Sequence, residues 1–196
     1  MFSDALPLAS AFAGLLATAG IVRGLIGPRE VPRLWERHLL NCAVVTDAVP
    51  EGSSVCDIGS GAGLPGLVMA IRRPDLEVTL VEPLLRRTTF LNETVADLGL
   101  SNVHVVRARA EELHGASSFD VVTSRAVAPL DRLSRWSLPL VRSGGEFLAM
   151  KGSSAEDELA AAAKAIRQLS GQVQGVLELG TPFLVPPVRV VRILKQ

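Results

Sequence analysis

The stretch VCDIGSGAGLPG, residues 55–66, sets an apolar run and one aspartate ahead of Gly59, Gly61, Gly63 and Gly66. A chain gives up side chains in one place where its backbone must turn sharply or where something must approach it closely. Residues 61–66, GAGLPG, match G-x-G-x-x-G. SSVCDI before the loop reads as a short apolar strand. LPGLVMAIRR after it reads as a helix, with Pro65 near the first turn, where proline is tolerated. Strand, loop and helix in that order are the context in which such a fingerprint has meaning. The free N–H groups and partial positive charge of a helix N-terminus suit an anionic group there.

Working outward, strands and helices alternate. EVTLVE is a second strand; LLRRTTFLNETVADLGL is a helix with Leu84, Thr88, Leu91, Val95 and Leu98 at helical intervals and Gly99 as its stop. VHVVRA and FDVVTSRA carry the third and fourth strands, PLDRLSRWSLPLV a helix and GEFLAMKG the fifth strand. SSAEDELAAAAKAIRQL is a helix with Ser153 and Glu156 placed for a capping box. VQGVLELGT and VRVVRILKQ close the chain as two strands. This alternation predicts a mainly parallel sheet with helices on both faces. PFLVPP is too short for a helical crossover, so the last two strands should pair antiparallel. The expected fold is α/β and Rossmann-like: a seven-stranded, mainly parallel sheet with a final antiparallel strand and an N-terminal helical extension.

With 196 residues, 48% of them hydrophobic, the chain suits a single domain. Within it, residues 1–50 are expected to form the helical extension and residues 51–196 the catalytic core. ALPLASAFAGLLATAGIV, from Ala5 to Val22, is uncharged and near the minimum length of a membrane span, and ATA at 17–19 imitates a signal-peptidase site. Against a membrane role stand Asp4 in place of a basic start, Pro7, and alanine and glycine in place of leucine. A helix packed on the domain is expected instead, with Leu8, Phe12, Leu15 and Leu16 on one face. VPRLWERHLLNCAVVTDAV is a second helix that sets Leu34, Arg37, His38 and Asn41 at helical spacing. Cationic and anionic side chains balance at 20 each, so any nucleic-acid contact must come from local clusters. Cys42 and Cys56 are the only cysteines; they form neither a metal motif nor a disulfide framework, and a reducing, cytoplasmic setting is the default. No metal site and no membrane partner are expected, and a monomer is favoured.

Glu82 ends the second strand, 16 positions after Gly66, where a carboxylate can accept hydrogen bonds from both ribose hydroxyls. NAD and S-adenosylmethionine both carry that ribose. Asp57, just before the glycines, suits a ligand with an ammonium and a sulfonium better than a pyrophosphate. A dehydrogenase needs a further substrate domain, for which this length leaves no room. GGEFLAMKG as fifth strand, followed by a helix and an antiparallel hairpin, is the methyltransferase variant of the sheet. The expected fold is therefore the class I S-adenosylmethionine-dependent methyltransferase type and S-adenosylmethionine the expected cofactor, with Asp57, Gly59, Gly61, Gly63 and Glu82 around it. After strand three, the Ala110 backbone and the Glu111 carboxylate can read the adenine edge. Arg125 after strand four and Lys151 at the end of strand five point to the reaction face, beyond the carboxyl ends of the strands.

Methyl transfer from a sulfonium is an in-line displacement in which the protein mainly aligns the nucleophile and excludes water. No cysteine follows strand four or five, which disfavours cytosine C5 chemistry. TSRAVAP stands where an exocyclic-amine methylase carries an Asn/Asp-Pro-Pro motif. A ring nitrogen such as guanine N7 survives, as do small-molecule and protein acceptors; an NAD-dependent reductase and a non-catalytic adenosine-ligand sensor are further readings. Arg125, Arg132, Arg135 and Arg142 after strand four, and Arg23, Arg29, Arg33 and Arg37 before strand one, can border the cofactor mouth and meet phosphates. Base-stacking candidates are few: Trp35, Trp136 and Phe183.

ERHLLNC, CDIGSGAGLPGLVMAI, AEEL, FDVVTSRAVAPL and FLAMKG occur in order over roughly residues 20–195. Together they resemble the bacterial small-subunit ribosomal RNA methyltransferase G family, RsmG or GidB. GLPG, Ser-Arg-Ala after strand four and the Arg-His helix are specific in combination. The resemblance implies N7 methylation of one guanine of 16S rRNA, in the small-subunit loop near the decoding site, with S-adenosylmethionine as donor. It implies cofactor contacts at Gly59, Leu64, Ala110, Glu111 and Arg125, with Glu82 on the ribose. It puts Arg37, His38 and Lys151 on the RNA side, joined by Arg132 from the basic segment; Arg125 and Lys151 position the substrate and no general base is needed. Two departures stand out. Asn41 and Cys42 replace the usual aspartate and serine, and the N-terminal helical region is shorter than usual.

Overall fold

The structure, a computed structural model, describes residues 1–125 and 127–196. Seven strands form one sheet: β1 (Ser54–Ile58), β2 (Glu77–Val81), β3 (Val103–Val106), β4 (Phe119–Arg125), β5 (Val141–Lys151), β6 (Gly171–Leu179) and β7 (Val188–Lys195). Their order is β3-β2-β1-β4-β5-β7-β6. The first five pair parallel, and β7 inserts antiparallel between β5 and β6. The expected seven-stranded, mainly parallel sheet with a final antiparallel strand is the observed one. From β1 the chain steps outward to β2 and β3, then returns to the other side of β1 as β4. That reversal opens a crevice at the carboxyl ends of β1 and β4, where ligands of doubly wound sheets sit.

Helices cover both faces: α1 (Leu6–Leu15), α2 (Leu40–Val45), α3 (Gly66–Arg72) and α4 (Leu85–Leu98), then α5 (Leu130–Ser137) and α6 (Ala155–Gln168). Side chains alternate across a strand, so Val55, Val121 and Leu148 join the apolar cluster under α1 to α4. Their neighbours Cys56, Val122, Phe147 and Ala149 join the cluster under α5 and α6. Gly99 ends α4 with φ +62°, the left-handed C-terminal geometry expected of it.

Three local expectations are corrected. On α1 and the π turn that continues it (Leu16–Gly20), the buried stripe runs Ala9, Phe12, Ala13 and Leu16, while Leu8 is exposed and Leu15 half-buried, because the face turned to α3 and α4 is centred on Phe12 and Leu16 rather than on Leu8. The helix expected before β1 is a succession of a 3-10 turn (Pro28–Arg33, with Pro32 inside), a wide π turn (Leu34–Leu39), α2 and a second 3-10 turn (Thr46–Ala48). The Ser153–Glu156 capping box does not form. Glu156 instead pairs with Arg189 of β7, and Ser154 stands at the N-cap with its Oγ 3.1 Å from Glu158. A long-range charge partner has outcompeted the local cap. Among the described residues no helix is long and apolar enough to cross a membrane, and no cluster of metal-ligating side chains occurs.

Candidate active site

The crevice is built first from backbone. Gly59 leaves β1 with φ +69°, a region that disfavours side chains, and a Cβ there would stand 2.7 Å from Val127 Cγ2. Gly66 opens α3 against β2; a Cβ would lie 2.3 Å from Leu80 and 2.8 Å from Asp57 Oδ2. The first of these glycines lets the loop turn, and the second lets helix and strand touch.

Asp57, at the end of β1, is fully buried. Its Oδ2 accepts the Gly66 N–H at 2.9 Å, and its Oδ1 has no partner among the described residues. Burial pushes its carboxyl up to about 7, against the Gly66 hydrogen bond and the Arg125 charge, which pull it down. This answers a question the motif leaves open. The first amide of α3 is held by the protein's own carboxylate, so it is not free for a pyrophosphate, and the other carboxylate oxygen is buried without a hydrogen-bond partner among the described residues. Glu82 is buried beyond β2; its Oε2 accepts the Gly61 N–H at 3.1 Å and its Oε1 the Leu84 N–H at 3.0 Å, with Arg87 3.3 Å away. It therefore ties the glycine loop to the start of α4. Leu64 is buried in the loop, Gly61 and Gly63 carry φ of +56° and +88°, and Ala110 is buried in a 3-10 turn after β3 while Glu111 is exposed.

Beside this half lies an open cleft of about 1280 Å³ at the carboxyl ends of β4 and β5. Arg33, Arg37, Asn41, Arg125 and Lys151 line it, with the apolar stretches 127–129 and 184–188 as its walls and Glu36, Glu158 and Glu178 among its acids. Arg125 donates to His38 Nδ1 at 2.5 Å and to Cys42 Sγ at 3.3 Å. A guanidinium only donates, so His38 Nδ1 is the lone-pair nitrogen and Nε2–H donates to Glu30, 2.9 Å away. Burial and the Arg125 charge hold the imidazole pKa below its ordinary value, which keeps this neutral tautomer in place. Lys151, its side chain 7% exposed, donates to the Ala128 carbonyl at 2.8 Å and to Glu158 at 2.7 Å. Ala126, last of the Ser-Arg-Ala stretch, lies outside the described residues.

The predicted residues therefore fall into three groups. Asp57, Gly59, Gly61, Gly63, Leu64, Glu82 and Ala110 gather around the loop. Arg37, Arg125 and Lys151 gather at the cleft. His38, expected on the RNA side, is buried behind Arg125 and orients it, and Arg132 is exposed on α5 outside the cleft lining. The basic segment does not act as one surface. Arg142 pairs with Asp120 at the amino end of the sheet, away from the crevice, and Arg23 pairs with Glu93 of α4. Glu30, Glu158 and Val127 went unnoticed in the sequence: Val127 meets Gly59 only across the fold, while Glu30 and Glu158 reach His38 and Lys151, eight and seven positions away, through turns that carry no spacing signature.

The parallel sheet with one inserted antiparallel strand, its glycine loop and its strand-end carboxylate define a class I S-adenosylmethionine-dependent methyltransferase. Solved structures agree on the fold. A ribosomal protein L11 methylase from Lactobacillus delbrueckii subsp. bulgaricus matches with TM-score 0.60 at 15% identity, over 81% of this chain and 77% of the other. Aeropyrum pernix fibrillarin, crystallised with natively bound S-adenosyl-L-methionine, matches with TM-score 0.58 at 18% identity, over 81% and 75%. Residues 5–184 match the family GidB, rRNA small subunit methyltransferase G. The chain is 59% identical over 192 residues to the ribosomal RNA small subunit methyltransferase G of Nocardioides sp., covering 98% of this chain and 77% of that one. It is 56% identical over 193 residues to that of Thermobifida fusca, covering 98% and 81%. The chain belongs to the rRNA small subunit methyltransferase G family.

Proposed function

We propose that the protein methylates N7 of one guanine of 16S rRNA, in the small-subunit loop near the decoding site, with S-adenosylmethionine as donor. The observation that carries this reading is the cleft between β4, β5 and the Arg33–Asn41 segment, which combines arginines with apolar walls and whose lining residue Val127 stands against Gly59 of the glycine loop. The cofactor supplies an electrophilic methyl on a sulfonium. The Asp57 Oδ1 left unpaired in the interior fits a cationic ligand, Glu82 fits its ribose, and Ala110 and Glu111 fit its adenine. Arg125 and Lys151 would hold the guanine with its N7 lone pair toward that methyl, and the electron pair of the carbon–sulfur bond would remain with the departing thioether. No proton has to leave the acceptor nitrogen, so no general base is assigned. The guanine becomes cationic, and Glu36, Glu158 and Glu178 supply opposite charge around the cleft. Arg125 and Lys151 hold the base or its phosphates, and Arg37 contacts the backbone. Such a substrate sets the enzyme's place in the cytoplasm.

The test is methyl transfer from radiolabelled donor to small subunits prepared from a strain deleted for this gene. Label in 16S rRNA, with restored strand cleavage by borohydride and aniline, is expected. Label confined to protein, or none in either, overturns the proposal.

A further inference from the structure

We infer that the turn between β6 and β7 is a stacking platform for an RNA base next to the acceptor, with Phe183 as its ring. This rests on the rRNA reading above and adds to it a residue that touches the RNA. Three aromatic candidates stood in the sequence, and packing removes two. Trp35 meets Phe2 edge to face at 5.9 Å and packs against the apolar core. Trp136 packs against the other cluster, under α5 and α6. Phe183, in contrast, is 79% exposed and Val185 89%.

That exposure is built rather than loose. The Phe183 and Leu184 amides both donate to the Gly180 carbonyl, at 2.7 and 2.9 Å. Leu184 is buried, close to Gly180 and lining the cleft. The turn is thus pinned at Leu184 while the residues on either side of it stand in solvent. One exposed ring would mean little, but Phe183 stands beside exposed Val185 and the Pro186–Pro187 wall, an apolar patch with Arg33 and Arg37 on the same lining, which is the pattern of a contact surface.

Its surroundings select a nucleotide. Val185, Pro186 and Pro187 wall one side of the cleft and Val127, Ala128 and Pro129 line it as well, with Arg33 and Arg37 on the same lining. Flat apolar surface for bases and cations for phosphates, side by side, are what single-stranded RNA requires of a protein. Arginines and exposed rings also serve protein interfaces, so a crosslink to ribosomal protein is the competing outcome of the test below.

Two measurements test this. Phe183→Ala should raise KM for small subunits about tenfold with kcat little changed, Phe183→Trp should restore it, and affinity for S-adenosylmethionine should stay at the wild-type value in both. In parallel, a photoreactive benzoylphenylalanine placed at 183 should crosslink to 16S rRNA when irradiated with small subunits. Crosslinks to a ribosomal protein alone, no crosslink at all, or a Phe183→Ala enzyme with unchanged KM overturn the inference. Wild-type enzyme that labels no rRNA overturns the functional reading instead, so the two failures are distinguishable.

Discussion

Asp57 concentrates the chemistry of the site in one side chain. It is buried with one oxygen bonded and the other bare, and its carboxyl sits up near 7 because desolvation outweighs its partners. The folded value lies above the unfolded one, so its contribution to stability is full below about pH 4 and is lost as pH rises through 7. Above that the ligand-free protein holds a buried charge that only a cation can match. Affinity for S-adenosylmethionine should therefore rise roughly tenfold between pH 6 and pH 8, with proton release on binding below pH 7. Calorimetry in two buffers of different ionisation enthalpy reads both quantities. Asp57→Asn should weaken binding and flatten the slope; an unchanged slope would assign the titration elsewhere. At this scale the sequence named the residue and its sign of charge. It did not reveal that Gly66 holds one oxygen, because that hydrogen bond exists only once α3 has folded back upon β1.

Among the elements, the seam between α3 and β2 depends on a missing side chain. A Cβ at Gly66 would come within 2.3 Å of Leu80, and within 2.8 Å of the Asp57 oxygen that receives its own amide. Gly66→Ala should destabilise the protein by about 1–3 kcal/mol, as overpacking does, and should loosen the Asp57 contact with it. Gly14 on α1 has no neighbour within 4 Å of a Cβ, so Gly14→Ala should stabilise by about 0.5–1 kcal/mol through helix propensity. Urea unfolding of the two variants separates a packing glycine from an idle one by opposite signs. The strands and most helices were legible in their periodicity, since a period of two or 3.6 is a local property. The capping box was misread because Arg189, 33 residues from Glu156, took its carboxylate. The linkage of β4 to the segment before β1, through Arg125, His38 and Cys42, was equally out of reach, for those residues lie 83 and 87 positions apart.

For the whole molecule we propose that the helical extension over residues 1–50 and the core over 51–196 unfold as one unit. Phe12 and Leu16, fully buried, share their apolar cluster with Leu39, Val78, Leu80 and Leu148. Phe12→Ala should cost about 3–5 kcal/mol and lower a single cooperative transition, monitored alike by far-UV circular dichroism and by bound-cofactor protection. Two separate transitions would make the extension an independent unit. The sequence by itself determined the alternation of elements, the place of the glycine loop, the strand-end carboxylates and the antiparallel finish, because each is written in spacing over a dozen or so residues. The tertiary structure alone decided which arginines face the cleft, that His38 serves Arg125 from within, that Lys151 is held by Glu158, and that Phe183 is the aromatic ring left in solvent. Those outcomes depend on which distant segments the sheet order brings together, and burial and charge pairing act on distance in space rather than along the chain.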